Sequence, residues 1–422
     1  MKYFFPILLG KFVRVLARLR GGGSAFPGLL VLKLAPRFLE HAVENLPLGT
    51  VLVTGSNGKS TTTNMLVAVL RAHGVSVFTN PSGGNIPQGV ASSILATVPM
   101  NGRIREDLAV LEVDEGYGPE LAKRLTPTCV LLINLQIDQL NRYHEPDRVY
   151  VMLRSIASAA TELVVVNASD ENLRAMGDEL AAAGSTVSYY SVSDQVLAQA
   201  PHGLASATRV GDDAHAPVSS LATVESVDGA RARVSTGSET TELDLPARGV
   251  HYAADAAGAI AMARALLGTR FSLATASAAF STLGTVYGRG ETIDARGEPI
   301  EVIMMKNPPS LQLNLDALDR VPKQLFMAVD EGTPDPSWIY DTDFSMIDHV
   351  DVLTGTKAWQ IATRLAYDGI PVGTVIPELR PALEAFLALA APQDDVKVAL
   401  VNYELMMELR KLLGYLDLEG GA

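Results

Sequence analysis

Apolar residues along the chain come in short blocks of strand length, separated by stretches of helical period. "TVLV" (50–53) is an uninterrupted β-branched run and reads as a buried strand. From Ser60 the period changes. Met65, Leu66, Val69 and Leu70 share one helical face, and Gly74 is a stop signal. Further strand blocks follow at "VSVFTN" (75–80), "DLAVLEVDEG" (107–116), "TCVLLINL" (128–135) and "ELVVVNA" (162–168), with helical stretches between them. This alternation predicts an α/β fold with a mostly parallel sheet and helices on both faces. Ligands of such sheets bind at the carboxyl ends of the strands. The polar residues Thr79, Asn80, Glu112, Asp114, Asn134 and Asn167 occupy those ends.

The pattern weakens over 190–247, which is rich in Ala, Ser, Thr, Val and Asp. There "ARARVS" (230–235) and "TTELDLP" (240–246) alternate with period two and predict a surface β-hairpin within a small inserted β element. Helical period returns at "HYAADAAGAIAMARALLG" (251–268). From about residue 290 a second α/β unit begins. Its predicted strands are "PIEVIMMKNP" (299–308), "QLFMAVDE" (324–331) and "HVDVLTG" (349–355). Its predicted helices are "KAWQIATRLAYDG" (357–369) and "YELMMELRKLLG" (403–414). The expected organisation is an N-terminal segment (1–47), a central domain (48–289) carrying the 190–247 insertion, and a C-terminal α/β domain (290–422). A chain of 422 residues, 48% of them hydrophobic, has ample material for such cores.

The first 23 residues, "MKYFFPILLGKFVRVLARLRGGG", read as a basic amphipathic helix. Lys11, Arg14, Arg18 and Arg20 break the apolar run too often for a spanning helix or a signal peptide. Two roles stay open: packing on the protein's own body or a partner, and peripheral contact with a membrane surface. The net charge of −13 argues against a nucleic-acid footprint. The single Cys129 rules out intramolecular disulfides and cysteine-rich zinc sites, and fits a reducing, cytoplasmic compartment.

The chemistry concentrates after the first strand. "VTGSNGKSTT" (53–62) has a Lys-Ser pair at the offset of a phosphate-binding loop, but its first glycine is Gly55, so the loop is two residues shorter than the commonest form. The physical requirements remain. Gly55 and Gly58 permit close backbone approach, and a helix N-terminus offers free N–H groups and a positive dipole end to an anion. Lys59 adds a point charge, and the Ser60 hydroxyl suits Mg²⁺. Glu112, ending a strand predicted to neighbour the loop, is the expected second metal ligand, and Asp114 is a further candidate. A nucleoside triphosphate in this loop serves a kinase step, a motor or switch ATPase, or acyl-phosphate formation. The loop alone does not choose.

A wider set of motifs does. "TGSNGKSTTT", "SGGNIPQG" (82–89), "LEVDEG" (111–116), "NLQIDQLNRYHE" (134–145) and "YGRGETI" (287–293) resemble the nucleotide-binding segments of Mur ligases. "KNPPSLQLNL" (306–315), "DPSWIYD" (335–341), "LTGTKAWQIATRLAYDGIP" (353–371) and "NYELMMELRKLL" (402–413) resemble the distinctive C-terminal domain of the MurT branch. The resemblance covers nearly the whole chain and is weakest at 190–247.

This resemblance implies an ATP-dependent carbon–nitrogen ligase. Its acceptor is the D-glutamate α-carboxylate of lipid II, activated as an acyl phosphate and amidated to D-isoglutamine. The ammonia comes from a GatD-like glutaminase subunit in a heterodimer. Carried onto this sequence, Gly55, Asn57, Gly58, Lys59, Ser60, Thr61 and Asn85 border ATP. Ser60 and Glu112 hold Mg²⁺, with Lys59 and Glu112 the catalytic pair. Arg289 reaches the triphosphate from an interdomain turn, and Asp341 sits near the nucleotide on the C-terminal side.

The departures are specific. The four zinc-binding cysteines of many relatives are missing, so no zinc is expected in 190–247. Tyr252 and Asp255 stand where adenine-contacting residues are usual, and Ile137 precedes Asp138 where Arg is usual. Gln360 occupies the place of the Asp that completes the partner's glutaminase triad, and an amide cannot stabilise an imidazolium as a carboxylate does. Two further readings therefore stand beside the first. One is a diverged Mur ligase paralogue joining another amine to another carboxylate without glutaminase coupling. The other is a non-catalytic nucleotide-binding scaffold.

Overall fold

A computed structural model describes residues 2–19, 25–80, 84–138, 145–209, 218–237, 239–284, 289–330 and 336–415. Three helices open the chain: α1 (Phe4–Leu19), α2 (Phe26–Leu34) and α3 (Phe38–Val43). The alternation read from the sequence then appears as β1 (Thr50–Thr54), α4 (Lys59–Ala72), β2 (Val77–Thr79), α5 (Pro87–Thr97), β3 (Leu108–Glu112), α6 (Gly118–Leu125), β4 (Cys129–Leu132), α7 (Pro146–Ala157), β5 (Leu163–Asn167), α8 (Glu171–Ala182) and β6 (Val187–Val192). After α9 (Asp194–Gln199) come β7 (Ser220–Asp228), β8 (Arg231–Thr236) and β9 (Glu239–Asp244), followed by α10 (Val250–Leu267) and α11 (Leu273–Phe280).

All nine strands form one sheet in the order β2-β3-β1-β4-β5-β6-β7-β8-β9. The strands up to β7 run parallel, and β7–β9 form an antiparallel meander. The 190–247 stretch thus supplies three strands that continue the main sheet, since β7 pairs in parallel with β6. Alternate side chains feed two cores. Val51 and Val53 join α4 and α10 on one face, and Leu52 joins α5 and α7 on the other. The helix α10 is buried almost all round, and its run of Ala and Gly keeps it thin enough to lie close to α4.

The second sheet has the order β10-β11-β15-β12-β13-β14. Its strands are β10 (Arg289–Ala295), β11 (Glu298–Met304), β12 (Leu325–Ala328), β13 (Val350–Thr354), β14 (Val372–Val375) and β15 (Lys397–Val401). All pairings are parallel except the β10–β11 hairpin. Helices α12 (Pro308–Asp316), α13 (Ala358–Tyr367), α14 (Leu379–Leu387) and α15 (Tyr403–Leu412) cover its two apolar faces. The protein is therefore an α/β protein with two mainly parallel sheets.

Strand order fixes where the site lies. The chain leaves β1 for β2 and β3 on one side, then jumps across β1 to β4 on the other. This is a topological switch point, where parallel sheets open a crevice at the strand ends. The loop 55–58 emerges there.

Candidate active site

The loop after β1 is held from below by the chain leaving β4. Ser56 N donates to Asn134 O at 3.2 Å, and Asn57 N to Asn134 Oδ1 at 3.0 Å. Ser56 Oγ and the Gln136 backbone exchange a pair of bonds of 3.1 and 3.0 Å. Asn57 Nδ2 donates to Gln136 Oε1 at 2.6 Å. Gly58 has φ +80°, and a Cβ there would meet the Asp255 carboxylate of α10 at 2.6 Å. Only glycine meets both demands.

The first helical bond of α4 runs from Thr62 N to Gly58 O at 2.8 Å. The amide N–H groups of Gly58, Lys59, Ser60 and Thr61 make no hydrogen bond among the described residues. Four donors at the positive end of a fourteen-residue helix form an anion site.

Lys59 is buried beneath this site. Its Nζ donates to Gly55 O at 2.6 Å, Ser56 O at 3.0 Å and Glu115 Oε2 at 2.9 Å. Burial by itself would lower the ammonium's pKa. The charges of Glu115, Asp138 and Glu112 outweigh it and hold the pKa above the usual lysine range. These carboxylates favour the charged form of Lys59.

β1 pairs with β3 in the register Val53↔Glu112, which sets Glu112 beside the strand end that launches the loop. Ser60 Oγ donates to Glu112 Oε2 at 2.6 Å, and Asn85 Nδ2 to Glu112 Oε1 at 2.9 Å. Asn80 bonds the Glu112 backbone on both sides, at 2.9 and 3.0 Å. Asp114 instead accepts from the N–H groups of Gly116 and Tyr117, in the turn leading to α6.

The second sheet completes the site. Asn307, N-cap of α12, pairs its amide with that of Asn57. Lys306 Nζ reaches Asp138 Oδ2 at 2.7 Å. Burial alone would raise the Asp138 pKa, but Lys306 and then Lys59 hold it below the usual carboxylate range. Arg248 bridges Glu301 at 2.9 Å and also pairs with Asp319.

The structure thus gathers Gly55, Asn57, Gly58, Lys59, Ser60, Asn85 and Glu112 into one cluster. Thr61 lies on α4 with its hydroxyl buried and unpartnered among the described residues. Asp341 is exposed at the end of a 3-10 turn (Pro336–Asp341), and no hydrogen bond joins it to the loop among the described residues. Arg289 opens β10, opposite Ile303, and its side chain lies outside the described residues. Gln360 is exposed in the first turn of α13. Sequence reasoning missed Glu115, Lys306 and Asn307 as site residues. The sole hint was that each falls within a motif quoted for other reasons.

Comparison with known proteins fits this geometry. Residues 53–263 match the Mur ligase middle domain, and residues 304–406 match the MurT ligase C-terminal domain. The chain belongs to the Mur ligase family, in its MurT-like branch. The MurT subunit of lipid II isoglutaminyl synthase (glutamine-hydrolyzing) from Streptococcus pneumoniae is 26% identical, over 94% of this chain and 94% of its own. That of Staphylococcus aureus strain COL is 23% identical, over 100% of both. Among solved structures, MurF from Acinetobacter baumannii superposes with a TM-score of 0.68 at 17% identity, covering 91% of this chain and 79% of its own. MurF from Thermotoga maritima in complex with ADP gives 0.61 at 18%, covering 92% and 83%. These structural likenesses establish the Mur ligase fold. The family profile spans the loop and most of α10, while the MurT-type profile begins at the last residue of β11 and takes in Lys306 and Asn307.

Proposed function

We propose that this Mur ligase is the synthetase subunit of a lipid II-amidating enzyme. It uses ATP to activate the D-glutamate α-carboxylate and replaces an oxygen with ammonia to give D-isoglutamine. The observation that carries this reading is the tandem of a Mur ligase loop and a MurT-type C-terminal domain that meet at Asn57 and Asn307.

The residues fit their tasks. The four N–H groups of Gly58–Thr61 receive the phosphates of ATP, and the Lys59 ammonium, whose three donors now serve Gly55 O, Ser56 O and Glu115 Oε2, exchanges one of these contacts for a phosphate oxygen. Ser60 Oγ and Glu112 Oε2 converge as hard oxygen donors of the kind Mg²⁺ takes, with Asn85 orienting the carboxylate. Ser60 and Glu112 would hold Mg²⁺, which would supply charge neutralisation for the phosphates. A carboxylate oxygen of the acceptor attacks the γ-phosphorus, and the bond to the β,γ-bridging oxygen breaks, leaving ADP. Ammonia then attacks the acyl carbon, and phosphate departs with the former carboxylate oxygen. The Lys59 charge stabilises the transferring group. Arg289 and Asp341 remain candidate nucleotide contacts from the C-terminal side.

The ammonia source in this reading is a GatD-like glutaminase docked on α13, and the heterodimer works at the cytoplasmic face of the membrane. One observation favours a second reading. Gln360 and Trp359 lie side by side and exposed on α13, with an amide in the triad position. A paralogue without glutaminase coupling would carry such a change. Mass spectrometry separates the two. Given ATP, Mg²⁺ and lipid II, ammonium should lower the lipid II mass by about one unit, the exchange of hydroxyl for amine that carbon–nitrogen ligation requires. Glutamine with a co-encoded glutaminase should do the same. Amidation with ammonium alone would keep the ligase and mean that the glutaminase coupling is lost; no amidation with either source, while another carboxylate acceptor triggers ADP release, would refute the first reading and support the paralogue.

A further inference from the structure

We propose that the hairpin of α1 and α2 is a docking surface for an anionic lipid bilayer. The inner side of the hairpin is fixed to the body. Pro6, Ile7 and Gly10 are buried, and a Cβ on Gly10 would stand 2.4 Å from Val31 of α2 and 2.8 Å from Leu95 of α5. Gly28 N donates to Ser92 Oγ at 2.7 Å, and Lys11 Nζ to Val98 O at 2.6 Å, at the end of α5. These contacts set the rotation of α1, so its other face points outward by construction.

That outward face is apolar. Phe4, Phe5, Leu8, Phe12, Val15 and Leu16 are all exposed, Phe5 by 66% and Phe12 by 60%. At 3.6 residues per turn they fall within an arc of about 120°. Phe26 and Leu29 of α2, the helix packed against α1, are exposed as well. Isolated exposed apolar residues need no explanation, but a contiguous aromatic face does.

Charge chooses the occupant. The chain carries a net −13, yet residues 1–39 contain seven Lys and Arg and no Asp or Glu. Lys2, Lys33 and Arg37 among them are exposed. Exposed phenylalanines in a segment rich in cations and free of acids, on a helix too short and too charged to span a bilayer, describe a helix lying in the headgroup plane. Among the described residues no helix is long and apolar enough to cross a membrane. A second copy is disfavoured, because two such hairpins would meet with like charges. The inference goes beyond the ligase reading, since it rests on the hairpin alone.

Vesicle sedimentation tests it, with no nucleotide or acceptor present. The full chain should sediment with vesicles of equal parts phosphatidylglycerol and phosphatidylcholine. Partition should fall on the order of tenfold with phosphatidylcholine alone, in high salt, or in Phe5→Glu/Phe12→Glu. Lys2→Glu/Lys33→Glu, a purely surface change, should lose anionic selectivity. ADP binding verifies that both variants are folded. The inference is overturned if wild type stays in the supernatant with anionic vesicles, or if Phe5→Glu/Phe12→Glu sediments like wild type. It is also overturned if light scattering shows a wild-type dimer that this variant dissolves.

Discussion

The side-chain amides of Asn57 and Asn307 hydrogen-bond to each other in both directions, at 3.2 and 3.0 Å, across 250 residues of sequence. Asn57 belongs to the phosphate loop, and Asn307 caps α12 through a capping box with Ser310. One side chain therefore starts a helix of the second sheet and fastens it to the first. Asn307→Ala should lose both functions, at about 1–2 kcal/mol for the cap and pair together. The Michaelis constant for ATP should also rise. Urea unfolding and ATP kinetics check this, and an unchanged ATP constant would separate the cap from the site.

Lys59→Ala should abolish ATP-dependent turnover. It also strands Glu115, whose side chain is 1% exposed, and loss of one partner of a buried pair costs about 3–5 kcal/mol. Adding Glu115→Gln should restore much of that stability and none of the activity. Thermal denaturation of the single and double variants measures the first effect, and ADP release the second.

Glu112→Gln keeps the size and most hydrogen bonds of the side chain but removes the charge. Its Mg²⁺ requirement should rise at least about tenfold, as for loss of a charged metal ligand. Titration of Mg²⁺ at fixed ATP gives the answer. A Mg²⁺ curve matching wild type would remove Glu112 from the metal site.

Asp170 sets a pH dependence of stability. It is fully buried at the N-cap of α8, and burial pushes its pKa up to about 6 despite bonds from Leu135 N, Leu173 N and Ser206 Oγ. The native carboxyl thus holds a proton that the unfolded chain releases near 3.8. Its contribution is fully present below the unfolded value and is lost as pH rises through about 6, a change of up to about 3 kcal/mol. Asp170→Asn should flatten the fall in stability between those pH values. Denaturant unfolding across the range tests the slope.

Gln360→Asp should raise glutamine hydrolysis by a co-expressed GatD-like partner, since a carboxylate orients and stabilises the catalytic imidazolium. The glutaminase rate of the reconstituted pair is the readout. An unchanged rate would place the triad acid elsewhere.

Much of this was legible in the sequence, and the limits have physical causes. Gly55, Gly58, Lys59 and Ser60 declare themselves because a phosphate loop is a local device: strand, turn and helix start lie within a dozen residues. Glu112 was found because parallel strands end at the same level as their neighbours. Glu115 was not. A buried carboxylate that serves a lysine 56 residues away carries no periodicity of its own. Lys306 and Asn307 were missed for a related reason, since only the packing of two sheets brings them to the loop. The predicted hairpin at 230–246 exists as β8 and β9, but its continuity with the main sheet depends on the β6–β7 pairing, a long-range contact that local alternation does not encode. β6, β7, β10, β14 and β15 were likewise not anticipated.

The most direct test of the account follows an oxygen atom. Lipid II labelled with ¹⁸O in the D-glutamate α-carboxylate is incubated with the protein, ATP, Mg²⁺ and ammonium, and the released phosphate is analysed by mass. Acyl-phosphate chemistry in this site predicts one labelled oxygen in each phosphate released, in step with amide formed, and none with Lys59→Ala. Release of phosphate without label would contradict it, because the carboxylate would never have been bonded to phosphorus.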